Sequence, residues 1–139
     1  MSGTTGVYSS VTEARNNMLG KNYKYVAFDM CMTSGAIIIN VPDALSTQTS
    51  GQNNDKLTTT AISAKGTQKI KYYTVDGNGV YTEVTTFTAG AWYTVVVEYD
   101  GTATGTYAGV DICSNAANTV VNFDNVRYYN ANPVVTAIA

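Results

Sequence analysis

From residue 87 to residue 129 the chain reads FTAGAWYTVVVEYDGTATGTYAGVDICSNAANTVVNFDNVRYY, three β-type runs separated by glycine- and asparagine-rich turns. Val, Tyr and Thr dominate these runs, and each run is too short for a stable helix. Strand side chains alternate between two faces, so such runs bury one face and wet the other. Tyr93, Val95, Val97 and Tyr99 alternate with Thr94, Val96 and Glu98, and the first set is expected in the core. Trp92, at the head of this run, is read as a core or edge anchor.

The rest of the chain repeats the theme. A weak strand is expected around residues 6–11, then one helix-like turn over 12–19. A strong strand follows over 23–33, with Val26, Phe28, Met30 and Met32 on the core face and Tyr23, Tyr25, Ala27 and Asp29 on the other. Ser34-Gly35 turns into a strand over 36–41, whose consecutive isoleucines suggest burial on both faces. Residues 43–56 read as a long irregular loop, and strands follow over 57–63, 68–75 and 80–87. The Asp76-Gly77-Asn78-Gly79 turn makes the last two a hairpin. A plain four-residue loop would set Val75 opposite Val80 and mix apolar with charged residues on each face. A one-residue bulge at Gly77 or Gly79 restores an apolar face of Ile70, Tyr72, Val80 and Val84, and is the expected register. Strands over 92–99, 107–114 and 119–129 complete about nine candidates, a pattern that fits a β-sandwich or barrel.

Composition narrows the partners. At 139 residues the chain is one domain by prior, large enough to bury about 68% of its unfolded surface. Residues 1–22 read as an N-terminal arm and 130–139 as an apolar tail. Only 13% of residues are charged and the net charge is -2, so no basic field invites nucleic acid. The run Ala36-Ile37-Ile38-Ile39 is far too short to enter a bilayer as a span. The opening Met-Ser-Gly-Thr-Thr lacks the charged and apolar regions of a secretory signal. The expectation is a chain made without export, or one whose signal lies outside this sequence. Cys31 and Cys113 lie in strand-like runs and read as small buried residues, with a cross-strand disulfide as the alternative. Histidine is absent, which removes the commonest general base and leaves no imidazole for a transition metal. No metal or cofactor is expected.

Three local motifs carry a resemblance: Lys24-Tyr25-Val26-Ala27-Phe28-Asp29, Gly90-Ala91-Trp92-Tyr93-Thr94-Val95 and Phe123-Asp124-Asn125-Val126-Arg127-Tyr128. Together they resemble the early strand, the G-x-W-x-x-V strand and the closing I-D-N-V-x-Y strand of carbohydrate-binding modules and concanavalin A-like lectin domains. The resemblance implies an all-β fold, an antiparallel jelly-roll β-sandwich of about eight or nine strands. In several such modules the Asp matching Asp124 helps hold a structural calcium. Glu13 is the one other acidic candidate here, and two carboxylates do not make a calcium cage.

Three functional readings compete. Catalysis would need two carboxylates flanking a cleft, with Asp29, Glu83, Glu98 and Asp111 as strand-borne candidates, yet these also suit solvent-facing positions. No GxSxG, Cys-His pair or phosphate loop appears, so the expectation is a protein that is not an enzyme. Sugar binding rests on eleven tyrosines and one tryptophan, because sugars lay their C–H faces on flat rings. Tyr23, Tyr25, Tyr73 and Tyr81 are the expected outward platform, although tyrosine also pairs across any half-exposed sheet. Assembly is the leading reading. It makes the chain a structural or adhesion protein on a virion or extracellular surface, such as a phage decoration or fibre protein, with other protein subunits as partners. Its tail residues Val134, Val135 and Ile138 would dock on a neighbour. A carbohydrate-binding module contacting surface glycans is the alternative.

Overall fold

A computed structural model describes residues 4–6, 23–40, 54–65, 69–98, 111–114 and 116–136. Among them the chain forms ten strands in two antiparallel sheets. They are β1 (Thr4–Gly6), β2 (Tyr25–Ser34), β3 (Ala36–Asn40), β4 (Asn54–Thr58) and β5 (Ile62–Lys65), followed by β6 (Ile70–Val75), β7 (Tyr81–Val84), β8 (Trp92–Glu98), β9 (Asp111–Cys113) and β10 (Val120–Tyr129). Six strands make one sheet in the order β1-β10-β2-β8-β6-β7, and four make the other in the order β5-β4-β3-β9.

Period-two patterning explains why these segments face one another. Val26, Phe28, Met30 and Met32 of β2 are all buried, as are Val95 and Val97 of β8 and Val121 and Phe123 of β10. They meet Ile37 and Ile39 of β3, Leu57 of β4 and Ile112 of β9 in one continuous apolar core between the sheets. Phe28 and Phe123 anchor it edge to face, with ring centroids 5.7 Å apart. Ile38 is only half-buried, so β3 buries one face fully rather than both.

The expected bulge settles the β6–β7 hairpin. Val75 pairs with Tyr81 and Tyr72 with Val84, one residue beyond the plain loop. Gly79 supplies the left-handed residue at φ 79°, its N–H bonds to the Asp76 carbonyl, and the Asp76 carboxylate accepts from the Asn78 and Val80 N–H groups. Ile70, Tyr72 and Val84 therefore turn to the core side.

Elsewhere the pattern is cut differently from the sequence expectation. The strand expected over 57–63 is two strands, β4 and β5, folded back at Thr58 so that Leu57 faces Ile62. β4 also begins inside the segment expected to be irregular, at Asn54. The helix-like turn over 12–19 lies outside the described residues. Cys31 is a free, buried thiol, which removes the disulfide alternative.

The chain passes between sheets at two adjacent corners, β2 to β3 at Gly35 and β9 to β10 around Thr119. Thr119 is fully buried. Its hydroxyl accepts from the Ala36 N–H at 3.2 Å and donates to the Ala116 carbonyl at 2.9 Å, while the Ser114 hydroxyl donates to the Ala36 carbonyl at 2.7 Å. Ser34 closes the set by donating to the Asn118 carbonyl at 2.6 Å.

The described part of the tail lies on its own sheet. Residues 131–136 form no strand and lie as a strap over the outer face of the six-stranded sheet. Val134 packs with Ala27, Tyr73 and Val96 of its own chain, and the Tyr81 N–H donates to the Val135 carbonyl at 2.6 Å. Val134 is thus occupied at home, Val135 remains 55% exposed, and Ile138 lies outside the described residues. Ending the chain after Asn130 is expected to uncover this small apolar cluster and cost about 2 kcal/mol of stability. A urea titration of the shortened chain checks it; an unchanged midpoint would show that the strap covers nothing of consequence.

Candidate functional site on the outer sheet face

The outer face of the six-stranded sheet is built by the strand residues that the core does not use. Reading across β10, β2 and β8, Asp124 lies opposite Asp29 and Asp29 opposite Thr94; one step along, Cys31 lies opposite Trp92. Beside them Asp29, Val75, Trp92, Tyr93, Thr94 and Asp124 line an open groove of about 300 Å³. A second groove of about 220 Å³ is lined by Tyr25, Lys69, Lys71, Tyr73, Val96, Glu98 and Asn132. Val134, seated on Tyr73 and Val96, lies on the same face.

Trp92 is the residue that the sequence reading misplaced. It is 50% exposed on the groove rim, neither a core nor an edge anchor. The signal was present: Trp92 shares its parity with Thr94 and Glu98, the set assigned to the solvent side. An exposed indole is a broad flat surface for C–H groups or for a cation.

The polar part of the groove depends on one backbone irregularity. Asp124 and Arg127 are three residues apart, so in a plain strand they would point to opposite faces. The β10–β2 register shifts by one residue between them, and Asn125 takes the left-handed conformation at φ 55°. Asparagine tolerates that conformation better than most residues. The bulge brings both side chains to the outer face, and the Asn125 carbonyl accepts from the Arg127 guanidinium at 2.7 Å. Asp124 accepts from the Asn125 N–H at 2.8 Å.

Asp29 is the hub of the groove floor. Its Oδ1 accepts from the Thr94 hydroxyl at 2.8 Å and lies 3.5 Å from the Arg127 guanidinium, both groups being mostly shielded from solvent. Burial works against the Arg127 charge, but hydrogen bonding to Tyr81, the Asp29 carboxylate and Tyr129 together outweigh it and hold the guanidinium pKa above its ordinary value. Arg127 is therefore a fixed cation, tied to several partners.

The four expected platform tyrosines take different places. Tyr25, Tyr73 and Tyr81 do belong to the outer face and come together with Tyr129 around Ala27 and Val96. Tyr73 meets Tyr81 edge to face at 5.4 Å. Yet Tyr73 is only 6% exposed, under the strap, where burial and the nearby Glu83 raise its pKa. Tyr23 is 39% exposed and stacks on Tyr128 at 5.5 Å, apart from the other three. The candidate catalytic carboxylates divide as well: Glu83 pairs with Lys71 at 3.6 Å in an exposed contact, Glu98 borders the second groove, Asp29 lines the Trp92 groove together with Asp124, and the Asp111 side chain lies outside what is described.

Among the described residues no group of three or more His, Cys, Asp or Glu side chains could hold a metal ion. No described helix is long and apolar enough to cross a membrane. The chain matches no protein-family model, no curated protein and no solved structure.

Proposed function

We propose that the chain is a non-enzymatic adhesion protein, a jelly-roll β-sandwich of the carbohydrate-binding kind displayed on a virion or extracellular surface, that holds a saccharide beside Trp92. The observation carrying this reading is the half-exposed Trp92 indole on a groove whose floor offers the Asp29 carboxylate, the Thr94 hydroxyl and Asp124. A ring to stack on and a few fixed polar groups to orient hydroxyls are what a sugar site requires. The groove is open and shallow, which suits a chain passing over a surface. The seating of Val134 on its own sheet favours this reading over assembly through the tail.

Affinity electrophoresis through gels containing single polysaccharides tests it. At least one polysaccharide should retard the native chain. Trp92→Ala should weaken retention about tenfold or more, the loss of roughly 1.4 kcal/mol, while Trp92→Phe keeps part of it. Both variants should melt near the native temperature, because the ring is half in water. No retention by any polysaccharide removes the saccharide reading. Concentration-dependent oligomers that disappear on loss of residues 130–139 would then put assembly in its place.

A further inference from the structure

The two grooves of the outer face divide along the same line on three neighbouring strands. On β8, Trp92 and Thr94 line the first groove, while Val96 and Glu98 line the second. On β2 the division falls between Asp29 and Tyr25, and on β6 between Val75 and Tyr73. Val134 of the strap sits on that line, packed with Ala27, Val96 and Tyr73. The register agrees: Ala27 lies opposite Val96, and Asp29, Thr94 and Tyr73 form the adjacent row. Without the strap, the outer face of β8 would run from Trp92 to Glu98 as one trough, about 20 Å long at the rise of a strand. The strap is also lightly held. Among the described residues its one backbone bond to the sheet runs from the Tyr81 N–H, on the edge strand β7, to the Val135 carbonyl. The Asn132 side-chain oxygen accepts from the strap's own Val134 N–H at 3.0 Å, and Val135 is mostly in solvent.

Resting on the saccharide reading, we infer that the strap is a displaceable partition that makes binding depend on the length of the saccharide. A short saccharide occupies the Trp92 groove alone and leaves Val134 in its seat. A longer one, continuing along β8, has to lift Val134 from Val96 and Tyr73. The tyrosines gathered there, Tyr25, Tyr73, Tyr81 and Tyr129, then offer ring faces to its next sugars. Strap and long saccharide compete for one surface. Affinity for the long form is therefore lowered by the fraction of molecules whose strap is open, and affinity for the short form is not.

The probes are the disaccharide and the hexasaccharide cut from a polysaccharide that retards the native chain in gels. Each is titrated calorimetrically into the native chain and into the chain ended after Asn130. Loss of the strap should tighten hexasaccharide binding about tenfold and leave disaccharide binding unchanged. Val134→Ser keeps the strap but weakens its seat, and should move hexasaccharide affinity the same way by a smaller factor. Amide hydrogen exchange reads the strap itself. In the free native chain the Tyr81 amide should exchange at least about tenfold faster than the amides of the interior strand β8. Saturating hexasaccharide should speed that exchange further, and saturating disaccharide should not. An equal effect of strap loss on both lengths overturns the partition and leaves the saccharide reading standing. So does a Tyr81 amide that is as well protected with hexasaccharide bound as without it. Failure of every polysaccharide to retard the native chain overturns both.

Discussion

Gly35→Ala is expected to cost about 3 kcal/mol or more of unfolding free energy, from two independent penalties that fall on one atom. Gly35 has φ 81°, a conformation that a residue with a Cβ adopts only under strain. The added methyl would also meet the Thr119 hydroxyl and sit 2.5 Å from its Cα. Backbone cannot swing aside as a flexible side chain can. Moving it would disturb the hydroxyl bonds by which Thr119 and Ser114 lash the two sheet-crossing corners together. Gly79→Ala is the control, since Gly79 has φ 79° with nothing within 4 Å of the added atom. It should cost about 1 kcal/mol, the conformational part alone. Urea denaturation of both variants separates the terms. Equal losses would show that the close approach to Thr119 contributes nothing.

The same corner shows what period-two reading can and cannot deliver. Alternation in β2 and β8 put Val26, Phe28, Val95 and Val97 in the core, where they are. The conflict of faces at 76–79 even located the extra residue in the hairpin. Parity assigns a face to a side chain but says nothing about what lies over that face. Tyr73 faces outward as its position requires, yet Val134, some sixty residues later, covers it. Trp92, read as a core or edge anchor, shares the parity of Thr94 and Glu98 and stands half exposed on the outer face. Asp124 and Arg127 were hidden further, because only the Asn125 bulge gives them a common face. A bulge in mid-strand leaves little trace in the sequence beyond an asparagine.

Asp55 was the least legible residue, and it leads to the second large effect. In sequence it closes a polar stretch; in the structure it is 3% exposed on β4, accepting a 2.8 Å hydrogen bond from the Tyr72 hydroxyl on the opposite sheet. This is a polar tie across an otherwise apolar interior. Burial first, then the Asp55 charge and the hydrogen bond to it, raise the Tyr72 pKa well above 10.0. Tyr72→Phe should therefore cost about 2 kcal/mol at neutral pH, the worth of a buried hydrogen bond to a charged group. Asp55 keeps its other interactions. The linkage sign follows from the raised value. Below pH 10 both folded and unfolded Tyr72 hold the proton, so the stabilisation is fully present. Above it the unfolded chain releases that proton while the folded chain keeps it, and native stability falls by about 1.4 kcal/mol per pH unit until the folded pKa is passed. The phenylalanine variant has no such slope from this position, while Tyr73 and Tyr128, whose pKa values burial also raises, act alike in both proteins. The stability gap between native chain and variant should thus be widest below pH 10 and close as pH climbs beyond it. Urea titrations at pH 8, 10 and 11 would read this directly, and a gap that stays constant across them would mean that Tyr72 holds no tie to Asp55.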